Sequence, residues 1–334
     1  MAEATMLEPG SAFAHHACIY ASGQEFLAMA IPFVRNGLAL DEPVLVATTA
    51  ANLELLGDAL CADGDKFDYA ETAYFGRRPA QRVAAFHRYW QRHASGNHRH
   101  VRVLAEPVWA GRSDRQVTAW QRMESALNVV LSATNIWMIC PYDARVVDQA
   151  ILRAARQTHP DRVEGGQIQP SGEFVDPVAF AYACDATPLP DPSPDAPLLP
   201  VTGVADLASV RRFVASQAAA HGLSGERVKL LVYAASEAAG YLLEQGSQRL
   251  TVCLWTAAGQ LACQINGHAG LAGDAFAGLR PPAMEPRPGD GLWLAQQVCD
   301  LVEVRAHHTG CRILLQVPGP HAEELVQTGV PYTS

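Results

Sequence analysis

The chain has 334 residues, 49% of them hydrophobic, which is enough apolar material for two cores. Its formal net charge is −9 without any run of Lys or Arg, which argues against a direct nucleic-acid partner. No apolar stretch has transmembrane length, and the first residues lack the basic and apolar regions of a signal peptide, so we expect no membrane partner. The 8 cysteines are scattered without a C-x-x-C pair, which is typical of reduced thiols. A cytoplasmic protein of two domains is expected.

The N-terminal part alternates strand and helix signals. Short apolar, β-branched runs predict strands at 43–49, 101–109 and 135–143. Apolar residues spaced by three and four predict helices at 25–40, from Asn52 onward, and at 115–132. Strands separated by helices favour a parallel α/β sheet with right-handed crossovers.

Several features of this part occur in the order of a known family. They are His15 followed by Tyr20, then EFLAMAIPFVRNGL, EPVLVATT, FGRRPAQRV, EPVWAGR and CPYD. Together they resemble the MEDS sensory domain, an α/β module derived from P-loop ATPases of the RecA type that serves as an input domain of bacterial and archaeal regulators. The resemblance implies that this part senses a small organic signal. Consistent with this, ATTAANLELL after the first strand offers neither glycines to wrap a phosphate nor a lysine, so there is no Walker A motif.

A ligand is expected at the carboxyl ends of the strands, where open α/β sheets usually bind small molecules. The expected ligand-binding residues lie at these ends or in the family motifs: His15, Tyr20, Thr48, Glu106, Trp109, Tyr142 and Asp143. Their acids, hydroxyls and aromatic rings suit a small organic molecule. The alternative is structural: Trp109 and Tyr142 pack, Glu106 and Asp143 cap helices, and His15 is a satisfied buried group.

No metal site is expected. His87, His93, His98 and His100 are close in sequence, but the first two fall on different faces of a helix and the last two in a polar loop.

A Pro-rich stretch at 186–201, ATPLPDPSPDAPLLPV, divides the chain, because neither a helix nor a central strand tolerates so many prolines. Such stretches act as semi-rigid spacers. We therefore expect a first domain at 1–185, whose last segment is a short helix at 176–186, and a second domain at 202–334.

The second domain shows helix signals at 204–223, 225–246 and 291–302. Strands are expected at 249–259 and 260–266, joined by an Ala-Ala-Gly turn, and a closing hairpin is expected at 303–317.

Two segments, LLVYAASEAAGYLLEQG and GDGLWLAQQVCDLVEVR, resemble the Bergerat (GHKL) ATPase fold of histidine kinases and anti-sigma-factor serine kinases. The resemblance implies an α/β sandwich with one helical layer over a mixed sheet. It places Glu237 at the family's Glu position, Tyr241 where the family has its magnesium-binding Asn, and Gly267 where it has its adenine-binding Asp. Ala269 and Leu271 stand where the family's adenine segment has glycines.

The segment that faces the phosphates in the family matches the family pattern more closely, since Gly289, Gly291 and a helix from Leu292 are present. Backbone amides at a helix N-terminus suit an anion, although the glycines also serve simply to let the loop approach the helix. A phenol cannot replace an amide oxygen as a magnesium ligand, and losing the adenine acceptor costs about 1–3 kcal/mol. We therefore expect a degenerate ATPase with weakened binding of ATP and magnesium, no cofactor, and no catalytic residue unless Glu237 acts as one.

His221, the one histidine between the Pro-rich stretch and Glu237, has no acidic neighbour after it, so histidine-kinase activity is not expected. The domain order resembles actinobacterial RsbA-type anti-sigma regulators, which join a MEDS domain to an RsbW-like domain. That resemblance implies a sigma factor or an anti-sigma antagonist as the partner. The alternatives are an active RsbW-type serine/threonine kinase and a scaffold that holds no ligand.

The loop at 272–288 carries Phe276, Leu279 and Met284, which is too apolar for a solvated lid. We expect it either to seal the nucleotide site or to dock a partner.

Overall fold

The computed structural model describes residues 12–60, 66–96, 99–257, 259–267, 274–282, 289–307 and 310–319. The chain divides into two compact units, unit 1 (Met1–Cys184) and unit 2 (Asp185–Ser334). No helix in the described ranges combines the length and the apolar character that crossing a membrane requires.

Unit 1 alternates strands and helices along most of its length. Its elements are, in chain order, β1 (Ala14–Tyr20), α1 (Gly23–Ala39), β2 (Val44–Thr48), α2 (Ala50–Ala59), β3 (Asp68–Glu71), α3 (Pro79–His93), β4 (Val101–Ala105), α4 (Asp114–Val130), β5 (Ile136–Asp143), α5 (Gln149–Thr158), β6 (Asp161–Glu164), β7 (Gln167–Pro170) and α6 (Pro177–Cys184).

These strands form a seven-stranded sheet in the order β3-β2-β4-β5-β1-β6-β7. All neighbouring pairs are parallel except the β6–β7 hairpin. The strands β2 and β4 are buried along their whole length, as strands covered on both faces must be. The parallel α/β sheet expected from the sequence is confirmed, and it brings the carboxyl ends of β1, β2, β4 and β5 to one edge.

The two faces of the sheet carry different residues of β1. Cys18 and Tyr20 join an apolar core with Phe26 and Phe33 of α1. His15 instead contacts Glu124 of α4. Because side chains alternate along a strand, Tyr20 and His15 belong to sites on opposite faces of the sheet.

Two boundaries differ from the sequence-based expectation. The strand expected at 101–109 ends at Ala105, and the residues from Glu106 onward leave the ladder just before Pro107. The helix expected at 291–302 ends at Val298, because Cys299 is already extended and β11 begins at Leu301.

Unit 2 has one layer of helices on a sheet. Its elements are β8 (Leu198–Val201), a 3-10 turn (Val204–Asp206), α7 (Leu207–Ala220), α8 (Gly225–Glu244), β9 (Leu250–Ala257), β10 (Gln260–Gly267), α9 (Asp290–Val298), β11 (Leu301–His307) and β12 (Gly310–Pro318).

The sheet of unit 2 has the order β11-β12-β10-β9-β8 and every pairing is antiparallel. The expected mixed sheet was therefore wrong, because each neighbour in this sheet runs opposite to the next. Helices α7, α8 and α9 bury one face, with Val210, Ala235 and Leu292 in a core shared with Ile265 and Ile313.

The end of the Pro-rich stretch belongs to this sheet. Strand β8 contains Pro200 and pairs with β9 at the edge, a position where a missing backbone donor is tolerated. Leu189 packs on the face of the sheet that carries Trp255 and Leu314. Part of the expected spacer thus contributes to the packing of unit 2.

Candidate functional site

A buried polar network joins the carboxyl ends of β1, β2 and β4. Tyr20 donates its hydroxyl hydrogen to Glu106 Oε1 at 2.7 Å, and Thr48 donates to Glu106 Oε2. The amide of Asn52 donates to Glu106 Oε2 at 3.0 Å and to the Tyr20 hydroxyl at 2.9 Å. We call these four residues the carboxyl-end network. Burial, followed by the charge of Glu106, raises the pKa of Tyr20.

The main chain of Glu106 is held as firmly as its side chain. Its carbonyl oxygen accepts hydrogen bonds from the Thr72 hydroxyl and from Arg82, the latter at 2.9 Å. Arg82 also donates to the Phe75 carbonyl at 2.9 Å and lies over the ring of Trp120. Burial lowers the pKa of the Arg82 guanidinium, while Glu124 opposes that shift. A buried cation therefore fixes the point where the chain leaves β4.

Both carboxylate oxygens of Glu106 thus accept hydrogen bonds within the protein. Three of the residues expected to bind ligand, Tyr20, Thr48 and Glu106, are brought together, but they satisfy one another. Sequence reasoning missed Asn52 as their partner, although it lies one helical turn beyond the end of β2.

The aromatic residues at this edge leave one polar group without a partner. Trp109 stacks on Tyr142 with 6.1 Å between ring centroids. Within the described ranges, the buried indole Nε1 of Trp109 has no hydrogen-bond partner. Asp143 lies apart from this pair and bonds Arg145 at 2.7 Å, and hydrogen bonds from Arg145 lower the pKa of the Asp143 carboxyl.

His15 belongs to a second cluster, on the other face of the sheet. His15, Glu124, Cys140 and His159 are all buried, and one donor atom from each lies within 4.8 Å of the others. Both His15 Nε2 and His159 Nε2 lie 3.6 Å from Glu124 Oε2, and Cys140 Sγ lies 3.4 Å from His15 Nε2. We call these four residues the His-Glu-Cys cluster.

Burial controls the protonation of this cluster. It lowers the pKa of His15 to about 3 and that of His159 well below its usual range, so both imidazoles are neutral. It raises the pKa of Glu124 and of the Cys140 thiol. No sequence spacing indicated this cluster, because its members come from β1, α4, β5 and the residue after α5.

A surface pocket of about 350 Å³ lies at the opposite edge of the sheet, by the amino ends of β2 and β3. Its polar lining includes Asp41, Glu42, Lys66, Asp68 and His93. None of the residues expected to bind ligand lines it.

In unit 2, residues at the expected nucleotide positions pack against each other. A Cβ atom added at Gly291 would lie 2.3 Å from Glu237 Oε2, so the carboxylate of Glu237 rests on the first turn of α9. Gly289 has a φ of 99°, and a Cβ there would lie 3.6 Å from the ring of Tyr241. Tyr241 and Leu292 are buried in the core of the unit.

Gly267, which stands at the expected adenine-binding Asp position, leaves little room for a side chain. A Cβ at Gly267 would lie 2.5 Å from Ser247 Oγ, so a side chain at this position requires Ser247 to move. Ala269 and Leu271, the neighbouring positions of the expected adenine segment, lie outside the described residues.

The described part of the apolar loop is packed. Phe276 and Leu279 are 2% and 5% exposed, and a Cβ at Gly278 would lie 3.0 Å from Leu292 Cβ. Burial, with Cys311 and Asp274 nearby, raises the pKa of Tyr241 to about 12. Met284 lies outside the described residues. The packing favours the sealing alternative for residues 274–282.

Comparison with known families identifies part of unit 1. Residues 14–160 match the family described as MEDS, MEthanogen/methylotroph, DcmR Sensory domain. A MEDS domain is therefore found in this chain, and it supports a role in sensing and signalling. No curated protein matches the chain.

Proposed function

We propose that this protein is a cytoplasmic signalling regulator. Unit 1 binds a small organic signal, and unit 2 acts on transcription by binding a sigma factor or an anti-sigma antagonist without turning over ATP. The observation that carries the sensing half is the MEDS domain at residues 14–160.

The signal binds at the carboxyl edge of the sheet, beside Trp109 and Tyr142. Trp109 supports this placement, because its buried N–H is a donor without a partner in the described ranges while its ring stacks on Tyr142. An aromatic wall with one unsatisfied donor suits a small molecule that combines an apolar body with an acceptor oxygen.

A thermal-shift screen of the full chain with small organic compounds tests this placement, because a ligand stabilises the state that it binds. Trp109→Phe keeps an aromatic ring but removes the indole N–H together with the fused five-membered ring, so it should reduce the shift of a true hit, and Trp109→Ala should abolish it. The exposed Tyr74→Phe variant is the matched control and should respond like the parent. Hits that shift all variants equally would place the signal elsewhere.

The proposal for unit 2 rests on the residues at the expected nucleotide-binding positions. Glu237 rests on the first turn of α9, where phosphates would bind, Tyr241 stands at the expected magnesium position, and the Ser247 hydroxyl lies where a side chain at position 267 would begin. These contacts support a domain that binds protein rather than nucleotide. Hydrogen exchange of the full chain with and without each sigma factor of the host tests this idea: new protection within unit 2 supports it, and unchanged exchange with every candidate counts against it.

The RsbW-type serine/threonine kinase is the second candidate. The left-handed Gly289 at the start of α9 favours it, since backbone amides at a helix N-terminus suit an anion, and Glu237 keeps the family's Glu position as the candidate catalytic residue. Magnesium-dependent ATP affinity separates the two candidates.

A further inference from the structure

We propose that the His-Glu-Cys cluster of unit 1, His15, Glu124, Cys140 and His159, is a binding site for a divalent transition-metal ion of the zinc class. The proposal departs from the sequence-based expectation of no metal site. It requires neither a bound signal nor a partner of unit 2, although Tyr142 of the proposed signal site lies edge-on to His159 with 5.8 Å between ring centroids.

The spacing of the donor atoms matches a tetrahedral ion. Zinc bonds of about 2.0 Å to nitrogen or oxygen and about 2.3 Å to sulfur give neighbouring donors roughly 3.3–3.7 Å apart. The distance from Cys140 Sγ to His15 Nε2 is 3.4 Å, and Glu124 Oε2 lies 3.6 Å from Nε2 of His15 and of His159. All four donors fall within 4.8 Å of one another, so small side-chain adjustments close the site.

Hydrogen bonds behind the two imidazoles aim their lone pairs into the cluster. His159 Nδ1 lies 2.8 Å from the Ala155 carbonyl, which only accepts, so the ring proton is on Nδ1. His15 Nδ1 lies 3.2 Å from Asn128 Oδ1, whose role as acceptor follows because the Asn128 amide nitrogen donates to Thr158 and Ser125 carbonyls. Both Nε2 atoms are therefore acceptors. Metal-binding histidines are usually oriented in this way by a second set of hydrogen bonds.

The interior of the cluster consequently lacks a positive group. Two imidazole lone pairs point at a carboxylate oxygen, and within the described residues neither Glu124 Oε2 nor His159 Nε2 has a hydrogen-bond partner. The nearby buried cation Arg82 directs its hydrogen bonds to Thr72, Phe75 and the Glu106 carbonyl instead. Orphaned buried polar atoms are rare and costly, and a cation among these donors satisfies all of them.

A proton shared within the cluster is the simplest competing explanation. A neutral Glu124 carboxyl could donate to one imidazole, but 3.6 Å is longer than a hydrogen bond. The Cys140 thiol hydrogen-bonds to Glu124 and lies 3.4 Å from His15 Nε2, but its single hydrogen leaves His159 Nε2 without a donor. The donor set also selects the metal. Two imidazoles, one thiolate and one carboxylate suit zinc or cobalt(II), whereas magnesium and calcium require mostly oxygen ligands.

Cobalt(II) titration of the full chain, stripped of metal by a chelator, tests the proposal. We expect one equivalent to give the intense visible bands of tetrahedral cobalt and a near-ultraviolet thiolate-to-cobalt band, both removed by added zinc. Cys140→Ser should lose the thiolate band. The matched control is Cys18→Ser, since Cys18 is buried on β1 but packs on the opposite face of the sheet, and it should keep the band.

Asn128→Ala tests the orientation of His15 without removing a ligand, and it should weaken cobalt binding about 10–100-fold. X-ray absorption of the zinc-loaded parent provides a measurement that needs no variant, with one sulfur and three nitrogen or oxygen neighbours expected. A parent chain that binds neither ion, an octahedral cobalt spectrum, or a thiolate band that survives in Cys140→Ser would each overturn the proposal.

Discussion

Replacing Glu106 with alanine should destabilise unit 1 strongly, because Glu106 is the shared acceptor of the carboxyl-end network. The Tyr20 and Thr48 hydroxyls both donate to it, the former at 2.7 Å, and Asn52 does so at 3.0 Å. Asn52 keeps its bond to Tyr20 at 2.9 Å, so two buried hydroxyl donors lose their acceptor. At about 1–3 kcal/mol for each unsatisfied buried donor, the loss is about 2–6 kcal/mol.

Glu106→Gln should cost less, about 1–2 kcal/mol, since one acceptor oxygen is kept while the charge that strengthens these bonds is lost. Hydrogen exchange of peptides from β2 and β4 in a urea series measures the local free energy of opening in the full chain. Asp143→Ala is the control, because its solvent-exposed pair with Arg145 should matter far less. If Glu106→Ala opens no more readily than Asp143→Ala, the network does not hold the strand ends and the reasoning is refuted.

Two further predictions concern unit 2. Ser247→Ala should leave the stability of unit 2 unchanged or raise it, because Ser247 Oγ is buried without a hydrogen-bond partner in the described ranges. A loss of more than about 1 kcal/mol in the free energy of urea unfolding would contradict this. The pKa of Tyr241 is raised to about 12 in the folded chain, so Tyr241 keeps its proton to a higher pH than it does in the unfolded chain. Its contribution to the free energy of unfolding is therefore fully present below about pH 10 and is lost as the pH rises from 10 to 12. Tyr241→Phe should therefore flatten the fall of the melting temperature across that window, and an identical fall in both proteins would show that Tyr241 is not buried as described.

The sequence predicted the elements whose apolar pattern is long. Strands β2, β4 and β5 and helices α1 and α4 carry clear periodicity, and each lies where it was expected to within a few residues. The strands β3, β6 and β7 were missed because each has only four, mostly polar, residues, and β1 was not predicted either. In unit 2 the two hairpins expected from turn signals are confirmed as the antiparallel pairs β9–β10 and β11–β12. Only the mixed character of the sheet, which came from a family resemblance, was wrong.

The two candidate sites also differ in how far the sequence could predict them. Thr48 and Glu106 could be grouped from the sequence because both lie at the ends of predicted parallel strands, and such ends meet at one edge. Tyr20 was added only through the family motifs, because no strand at 14–20 was predicted. The His-Glu-Cys cluster could not be grouped, because the pairing of β1 with β5 brings His15 near Cys140 and because Glu124 reaches them from a helix. Neither the strand pairing nor the position of the helix can be recognised from the spacing of residues along the chain.

We propose above all that unit 2 does not work by binding ATP. Calorimetric titration of the full chain with a non-hydrolysable ATP analogue, with and without magnesium, tests that claim directly. We predict no micromolar affinity in either condition, and partial recovery when Tyr241→Asn and Gly267→Asp are combined with Ser247→Ala, which makes room for the side chain introduced at position 267. Magnesium-dependent micromolar binding by the unmodified chain would contradict the account and favour the serine/threonine kinase.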